Sequence, residues 1–357
     1  MDMSLLERVN PIYNTAKMTL CGLAQAGDRD AAVIIKKLGL TPEKPQDSAQ
    51  DPLSAIQSQA NAVFLEIRFR TMGALAENAD CRTIVDLTCG YTPRGLQTAR
   101  KGRRYIGLDL PATVSEMERV IMPLCDDEQR SLIKYASVDA TNYVSLKTAL
   151  EGECGPVCVT TEGLLMYFND SVASALCDNI RRLLIKYGGC WITSDPEMMV
   201  QNALIMRAIA GERYKEVMNN LIQAFESKAD IHVDVPALMI RPLEEMTAER
   251  ERALSFLSGH GLKAERMTVG CCMPEIESLH ALKPEAAEAV RTGMEQCAYW
   301  KITLSDDVET VSGEGDNVDF RVQALLTEGR FDLYLSGRMD TLTAPRVLEL
   351  FEKRRRI

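Results

Sequence analysis

The stretch TIVDLTCGYTPRG, residues 83–95, decides what kind of fold this sequence predicts. Its first five residues form a short, largely apolar run that contains one acid, Asp86. A loop with the small residues Thr88 and Gly90 follows and reaches Pro93. A short apolar run followed by such a loop is typical of the first strand of an open α/β sheet, where the loop lies at the carboxyl ends of the strands.

Four further short apolar runs follow: RYIGLD (104–109), IKYASVD (133–139), VCVTTE (157–162) and CWITSD (190–195). Helix-compatible segments separate them, and one of these begins at Asp170 and stops at Gly188 and Gly189. Short runs without strict alternation, each followed by a helix, predict a buried parallel sheet of the doubly wound kind. Each of the four runs ends in an acid, so we expect these acids to line the ligand-binding edge of the sheet.

The regions around this core complete the predicted organisation. The segment 53–80 has apolar residues near a helical period, which predicts a long amphipathic helix leading into the core. The segment 306–319 is acidic, contains glycine and shows no apolar periodicity, which is typical of a linker. The predicted parts are one domain of residues 1–305, made of a helical region (1–80), a core (81–195), a lid insertion (about 196–240) and a final helix and strands (242–305), then the linker and a small β-β-α extension (320–357).

The composition limits the classes of partner. The chain has 357 residues, a formal net charge of -10, 46% hydrophobic and 26% charged residues. This composition is that of a globular protein, and the negative charge argues against nucleic-acid binding, which needs a basic surface. No apolar run is long enough to span a membrane and the start does not resemble a signal peptide, so we expect no membrane partner. Eleven scattered cysteines without zinc-ligand spacing indicate a reducing cytoplasm and no metal.

The loop after the first run limits the cofactor. A pyrophosphate-binding loop requires GxGxxG leading into a helix, whereas this loop has Gly90 alone and then Pro93. A dinucleotide-dependent oxidoreductase therefore becomes a disfavoured alternative. Asp109 follows Asp86 by 23 residues, which is near the spacing expected for an acid that binds ribose hydroxyls. S-adenosylmethionine has a ribose but no phosphate, so it asks less of this loop.

Four segments of the core resemble the leucine carboxyl methyltransferase family of class I S-adenosylmethionine-dependent methyltransferases, which includes bacterial O-methyltransferases of polyketide type. The segments are VDLTCGYTPRGL (85–96), GLDLPATV (107–114), SVDATN (137–142) and VTTEGLLMYF (159–168). The most specific pieces are DLP and EGLLMYF, and the resemblance covers about residues 50–305. It implies a Rossmann-like, doubly wound sheet of seven strands, a lid over the substrate, and S-adenosyl-L-methionine as cofactor.

The resemblance also implies a set of cofactor-binding positions. Asp109 would bind the ribose, Asp139 would hold the adenine amino group, and Gly90 would present its backbone to the methionine part. Thr88 stands where the family usually has the first of two loop glycines. The full implied set is Arg68, Asp86, Thr88, Gly90, Asp109, Leu110, Asp139, Ala140, Glu162 and Gly163.

Tyr167 and Arg68 are the catalytic candidates that the resemblance implies. Tyr167 would face the active site, and Arg68 would neutralise a carboxylate of the cofactor or the substrate. Other interpretations stay open at this point: Tyr167 as a packed aromatic, Arg68 on a solvated helix face, Asp139 as a helix cap and Asp109 as a turn former.

The function predicted from these features is transfer of a methyl group from S-adenosylmethionine to a carboxylate or hydroxyl of a small molecule or peptide. An alternative is a regulatory or interaction protein that binds the cofactor or S-adenosylhomocysteine with impaired catalysis, as Thr88 and the tail suggest. In that tail, residues 331–352 resemble the opening strand and first helix of STAS domains, and the chain stops before the serine-bearing segment of that fold. So small an extension cannot fold alone, so we expect it to dock on the main domain or to pair in a homodimer.

Overall fold

The computed structural model of the chain describes residues 15–40, 52–219, 236–241 and 246–305, together with three strands between 308 and 337. The strands of the main sheet are β1 (Thr83–Leu87), β2 (Arg104–Asp109), β3 (Ile133–Ser137), β4 (Val157–Thr161), β5 (Gly189–Thr193), β6 (Leu262–Thr268) and β7 (Ala298–Leu304). Their order is β3-β2-β1-β4-β5-β7-β6. All pairs among β1–β5 are parallel, and β7 is antiparallel to β5 and to β6. The expected seven-stranded, doubly wound Rossmann-like sheet is confirmed.

Helices surround this sheet. They are α1 (15–25), α2 (Arg29–Leu38), α3 (Pro52–Asn78), α4 (Arg94–Arg100), α5 (Pro111–Ile121), α6 (Asp127–Leu132), α7 (Tyr143–Ala149), α8 (Asp170–Tyr187), α9 (Met198–Ala210), α10 (214–219), α11 (Met246–Gly259), α12 (Val269–Cys272) and α13 (Pro284–Met294). Local chemistry sets several of their ends. The Asn169 side chain caps α8 by accepting from the Val172 N–H, and Gly188 ends that helix with a φ of +71°.

The centre of the sheet is covered on both faces. Every residue of β1 and of β4 is buried, as parallel strands with helices on both faces require. Helix α3 packs on β4 and β5, and α8 packs on β4, β5 and β7. Because β1 lies between β2 and β4, the winding of the chain reverses at β1 and β4. Ligands of open α/β sheets bind beyond the carboxyl ends of the strands at such a switch point.

Most predicted boundaries agree with the structure. The first two apolar runs coincide with β1 and β2, and the predicted long helix is α3. Its predicted amphipathic character is wrong, because residues 63–69 are all buried and the helix has no solvated face there. The third run differs because β3 ends at Ser137, which leaves Asp139 in the turn that follows. Strands β4 and β5 also end early, so Glu162 and Asp195 lie just beyond them. The segment predicted as a lid, about 196–240, contains α9 and α10, and its residues 220–235 lie outside the described residues.

The segment 306–319, which was predicted to be a linker without regular structure, contains β-strands in the structure. It contains β8 (Val308–Gly315) and the start of β9 (Val318–Thr327), which form an antiparallel sheet with β10 (Arg330–Gly337). The register runs from Val308 opposite Leu325 to Gly315 opposite Val318. Three β-branched residues in β8 favour a strand even though no apolar alternation marks it. The helix expected after β10 lies outside the described residues.

Candidate active site

Asp109 ends β2 beside the switch point and is tied to the loop after β1. The Gly90 N–H donates to Oδ2 at 2.8 Å, and the Leu110 N–H donates to Oδ1 at 2.7 Å. Gly90 has a φ of +53°, a backbone angle that glycine adopts without a steric cost, and it lets the loop turn its N–H toward the acid. Burial raises the pKa of Asp109 to about 6, against the two N–H donors that favour the charged form. Above that pH the site therefore presents an anchored carboxylate.

Glu162, immediately after β4, joins two buried arginines. Arg68 Nε on α3 donates to Oε1 at 2.9 Å, and Arg94 Nη2 donates to Oε2 at 2.7 Å. The three side chains are 6%, 9% and 4% exposed in that order, so the group is shielded from water. Burial alone would raise the pKa of Glu162, but the positive charges of Arg94 and Arg68 outweigh it and lower the pKa. This carboxylate stays charged and holds both guanidinium groups in place.

Asp86 lies below this group and shares Arg94 with it. The Arg94 guanidinium is 3.4 Å from Asp86 Oδ1, and the hydroxyls of Thr160 and Tyr105 donate to Asp86 at 2.8 Å and 3.0 Å. Burial raises the pKa of Asp86, and Arg94 opposes that rise. Only 1% of the residue is exposed, so its carboxylate is used in holding protein groups rather than presented to a ligand.

Asp195 fixes the loop that carries Glu162 and Gly163. It is fully buried just after β5, and it accepts hydrogen bonds from three consecutive N–H groups, those of Gly163 at 2.6 Å and of Leu164 and Leu165 at 2.9 Å each. Gly163 has a φ of +75°, and a Cβ added there would lie 3.6 Å from Arg68 Nη1. The loop after β4 therefore lies directly over the Arg68 guanidinium.

The other predicted residues lie along the same edge with different exposures. Thr88 and Tyr167 are half-buried, Ala140 is buried and Asp139 is exposed. Asp139 accepts from the N–H and hydroxyl of Thr141 at 2.8 Å and 2.6 Å, so it closes a turn. The neighbouring Val138 N–H donates to the Asp109 carbonyl at 2.9 Å, which joins this turn to the end of β2.

Helix α1 covers one side of the loop after β1. A Cβ added to Gly90 would lie 3.9 Å from the Cβ of Ala16. The Lys17 ammonium lies 5.0 Å from the centroid of the Tyr91 ring and 3.3 Å from Glu116. The Tyr91 hydroxyl donates to the same Glu116 carboxylate. These contacts dock α1 onto the loop between β1 and α4.

The structure thus brings the ten predicted cofactor positions to one edge of the sheet. Some of their side chains are buried and bind other protein groups, whereas others are half-buried or exposed. Arg68 is buried and ion-paired, so the open interpretation of a solvated helix face is wrong. Asp139 does not cap α7, because the Asn142 side chain does so. The analysis of the sequence missed Arg94, and for Asp195 it predicted only a place at the edge of the sheet. The available signal for Arg94 was a cation in the first turn of the helix that follows the loop after β1.

The described histidines lie away from these residues. His260 bonds Ser174 at 3.0 Å and Asp178 at 2.9 Å on α8, His280 lies in the turn 277–281, and His232 is outside the described residues. Within the described ranges, no three His, Cys, Asp or Glu side chains have the arrangement of a metal site. In the same described residues, no helix has the length and apolarity to cross a membrane.

Comparisons with known proteins give only remote similarity. No family model and no curated protein matches the chain. A solved DUF574 family protein from Streptomyces avermitilis is 15% identical, with 76% of this chain and 95% of that one covered and a TM-score of 0.42. An O-methyltransferase family protein from Burkholderia thailandensis is 15% identical over 72% of this chain and 61% of its own, at a TM-score of 0.34. Human N-acetylserotonin methyltransferase, solved in complex with SAM, is 13% identical, with 79% of this chain and 65% of that one covered and a TM-score of 0.35. At these scores the fold description rests on the strand order alone.

Proposed function

We propose that this chain is an S-adenosylmethionine-dependent O-methyltransferase of the leucine carboxyl methyltransferase type, acting on a carboxylate or hydroxyl of a small molecule or peptide. The observation that carries the proposal is the Asp109 carboxylate at the end of β2, held by the Gly90 N–H at the switch point. An acid at this place accepts hydrogen bonds from ribose hydroxyls. The single glycine of the loop supports a nucleoside without a pyrophosphate.

The side chains at this edge of the sheet offer partners for the parts of such a nucleoside. Asp109 would accept from the ribose, and the exposed Asp139 would accept from the adenine amino group. The half-buried backbone of Gly90 would approach the methionine part. Arg68 uses its Nε for Glu162 and its Nη1 for the Met198 sulfur, so its remaining N–H groups would meet the methionine carboxylate.

The chemistry follows from positioning. When bound, the cofactor supplies a methyl group on a positively charged sulfur, which a nucleophile displaces in line. The residues of this chain would hold the donor at its ribose and carboxylate and leave the methyl facing the acceptor, which lowers the entropic cost of the reaction. A carboxylate acceptor needs no general base, whereas a hydroxyl acceptor does. The placement of His260 and His280 away from these residues supports a carboxylate acceptor.

A second candidate is a protein that binds the cofactor or its product without turnover. Glu162 already pairs with both buried arginines, and Thr88 keeps a β-branched side chain at the half-buried start of the loop. Both features reduce the free positive charge and the space that this edge of the sheet has for a methionine carboxylate. Conversion of S-adenosylmethionine to S-adenosylhomocysteine, with a methylated acceptor formed in the presence of the chain, would exclude this candidate.

Calorimetry with S-adenosylmethionine, S-adenosylhomocysteine and NAD tests the proposal. We expect heat from both sulfur compounds and none from NAD. Asp109→Ala removes two charge-assisted hydrogen bonds, so affinity for S-adenosylhomocysteine should fall about 100-fold, or about 3 kcal/mol. The control is a cooperative melting curve for the variant. Unchanged affinity in the folded variant, or no binding of either sulfur compound to the original chain, would refute the cofactor assignment.

The C-terminal extension, the oligomeric state and the cellular setting are part of the same proposal. We propose that residues 320–357 are a STAS-like extension and that an edge strand of its sheet pairs with a second copy, because a three-stranded sheet ends in two edge strands. Light scattering of the full chain and of a chain ending at 305 would test this, since only the full chain should dimerise. A cytoplasmic setting accords with cysteines that are all free thiols.

A further inference from the structure

The turn between β3 and α7 is tied to a helix that lies far from it along the chain. Asn179, near the middle of α8, donates from Nδ2 to the Ala140 carbonyl at 3.1 Å, and the two residues are 39 positions apart. Asn179 is 5% and Ala140 9% exposed, so the bond is buried. A buried amide costs free energy unless it is hydrogen-bonded. The bond to Ala140 therefore explains how a polar side chain is accommodated at this place in the core.

The other contacts of this turn are made by neighbouring elements. The Val138 N–H donates to the Asp109 carbonyl at the end of β2, at 2.9 Å. The Asp139 N–H donates to Ser145 Oγ in α7 at 3.3 Å. Asn179 instead ties the turn to α8, which packs on β4, β5 and β7. The position of the turn thus depends on the core of the sheet as well as on its own edge.

Asp139 lies exposed in this turn and has one carboxylate oxygen free for a ligand. The N–H and the hydroxyl of Thr141 both donate to Oδ1, at 2.8 Å and 2.6 Å. Within the described parts of the chain, no group bonds Oδ2 of Asp139. The turn therefore sets the orientation of this carboxylate, and Oδ2 can accept from a donor such as an amino group.

We infer that Asn179 is a positioning residue for base selection at the proposed cofactor site, an inference that rests on the proposed function. By holding the Ala140 carbonyl, Asn179 keeps the turn where Oδ2 of Asp139 meets the amino group of adenine. A 6-oxo base, such as that of inosine, places an oxygen there instead, and two acceptors facing each other repel. Asn179 thus contributes to the preference for an adenine nucleoside although it is buried on α8.

Titration calorimetry of the full-length chain with S-adenosylhomocysteine and S-inosylhomocysteine measures this preference. We expect the original chain to bind the adenine compound at least ~10-fold more tightly, because the inosine compound leaves a charged acceptor without its donor. Asn179→Ala frees the turn from α8, so the preference should fall to about 3-fold or less. An unchanged preference in the folded variant, even with a lower melting temperature, would overturn the inference and leave Asn179 a structural residue only.

Tyr187→Phe is the matched control on the same helix. The Tyr187 hydroxyl donates to the Leu150 carbonyl, just after α7, at 3.0 Å. Its removal also breaks a bond from α8 to a backbone carbonyl, and it should leave the base preference intact. An equal loss of preference in this control would overturn the inference, because any weakening of α8 would then have the same effect.

Two further outcomes separate this inference from the proposed function. If Asn179→Ala does not fold, Asn179→Ser takes its place, because serine is too short to reach the Ala140 carbonyl but keeps a polar group. An original chain that binds both compounds equally would overturn the role of Asn179 and leave the cofactor assignment standing. An original chain that binds neither compound would refute the proposed function, and this inference with it.

Discussion

Replacing Glu162 by glutamine perturbs the buried ion-pair cluster that Glu162 forms with Arg68 and Arg94. Glutamine keeps the shape of the side chain but removes the negative charge that pairs with Arg68 at 2.9 Å and Arg94 at 2.7 Å. Arg94 would keep Asp86 at 3.4 Å, whereas Arg68 would keep the Met198 sulfur. Removal of one partner from a buried ion pair costs about 3–5 kcal/mol. Since glutamine still offers one oxygen, we expect about 3 kcal/mol, and a melting temperature lowered by about 4–6 °C.

The matched control for this change is Glu197→Gln. Glu197 is also buried and also meets two arginines, Arg266 at 2.6 Å and Arg250 at 3.1 Å, and the Trp300 indole donates to it at 3.0 Å. We expect a similar loss of stability there, because the same kind of pair is broken.

Only the change at Glu162 should affect ligand binding. Without its partner, Arg68 loses its fixed orientation over the crevice, so affinity for S-adenosylhomocysteine should fall at least ~10-fold, or about 1.4 kcal/mol. Glu197→Gln should bind as the original chain does. Scanning calorimetry gives the stability and titration calorimetry gives the affinity. Equal affinities in the two variants, with equal melting temperatures, would refute the reasoning and leave Glu162 a structural residue only.

Three further predictions concern the same crevice. Affinity for S-adenosylhomocysteine should be constant above pH 7 and should fall as the pH drops through about 6, because burial raises the pKa of Asp109 to about 6 and protonation removes an acceptor; titrations from pH 5 to 7.5 that show a flat profile would contradict this. Gly163→Ala should cost about 1–2 kcal/mol, because alanine is strained at a φ of +75°, and the strain should weaken binding because this loop contacts the Arg68 guanidinium, whereas Gly152→Ala, at a φ of +84° in open space, should cost the same in a melting curve and leave binding intact. Asp195→Asn leaves at least one of three buried N–H groups without an acceptor, so denaturant unfolding should show a loss of about 1–3 kcal/mol, and an unchanged midpoint would count against that role.

The sequence was most informative where local chemistry decides the structure. The runs at 83–87 and 104–109 coincide with β1 and β2, because short apolar runs bounded by a loop are sufficient to mark buried parallel strands. The acids at strand ends followed from the same pattern, since parallel strands place their carboxyl ends at one edge. The sequence did not predict the strand at 308–315, because its apolar and polar residues do not alternate. Backbone pairing with β9 decides its conformation.

Pairings between distant segments were beyond the reach of the sequence. Glu162 was assigned to the site, but its partners come from α3 and from the start of α4, which are 94 and 68 residues away along the chain. No spacing rule connects such segments before the sheet is assembled. The role of Asp195 was hidden for the same reason, because its three N–H partners belong to the preceding strand's loop. The docking of α1 on Gly90 and Tyr91 likewise depends on tertiary packing.

A crystal structure of the chain soaked with S-adenosylhomocysteine tests the central claim most directly. The account predicts both ribose hydroxyls within about 3 Å of the Asp109 carboxylate oxygens, with the methionine part above Gly90. A nucleoside bound elsewhere on the protein, or a crevice filled by the Thr88 side chain, would contradict it.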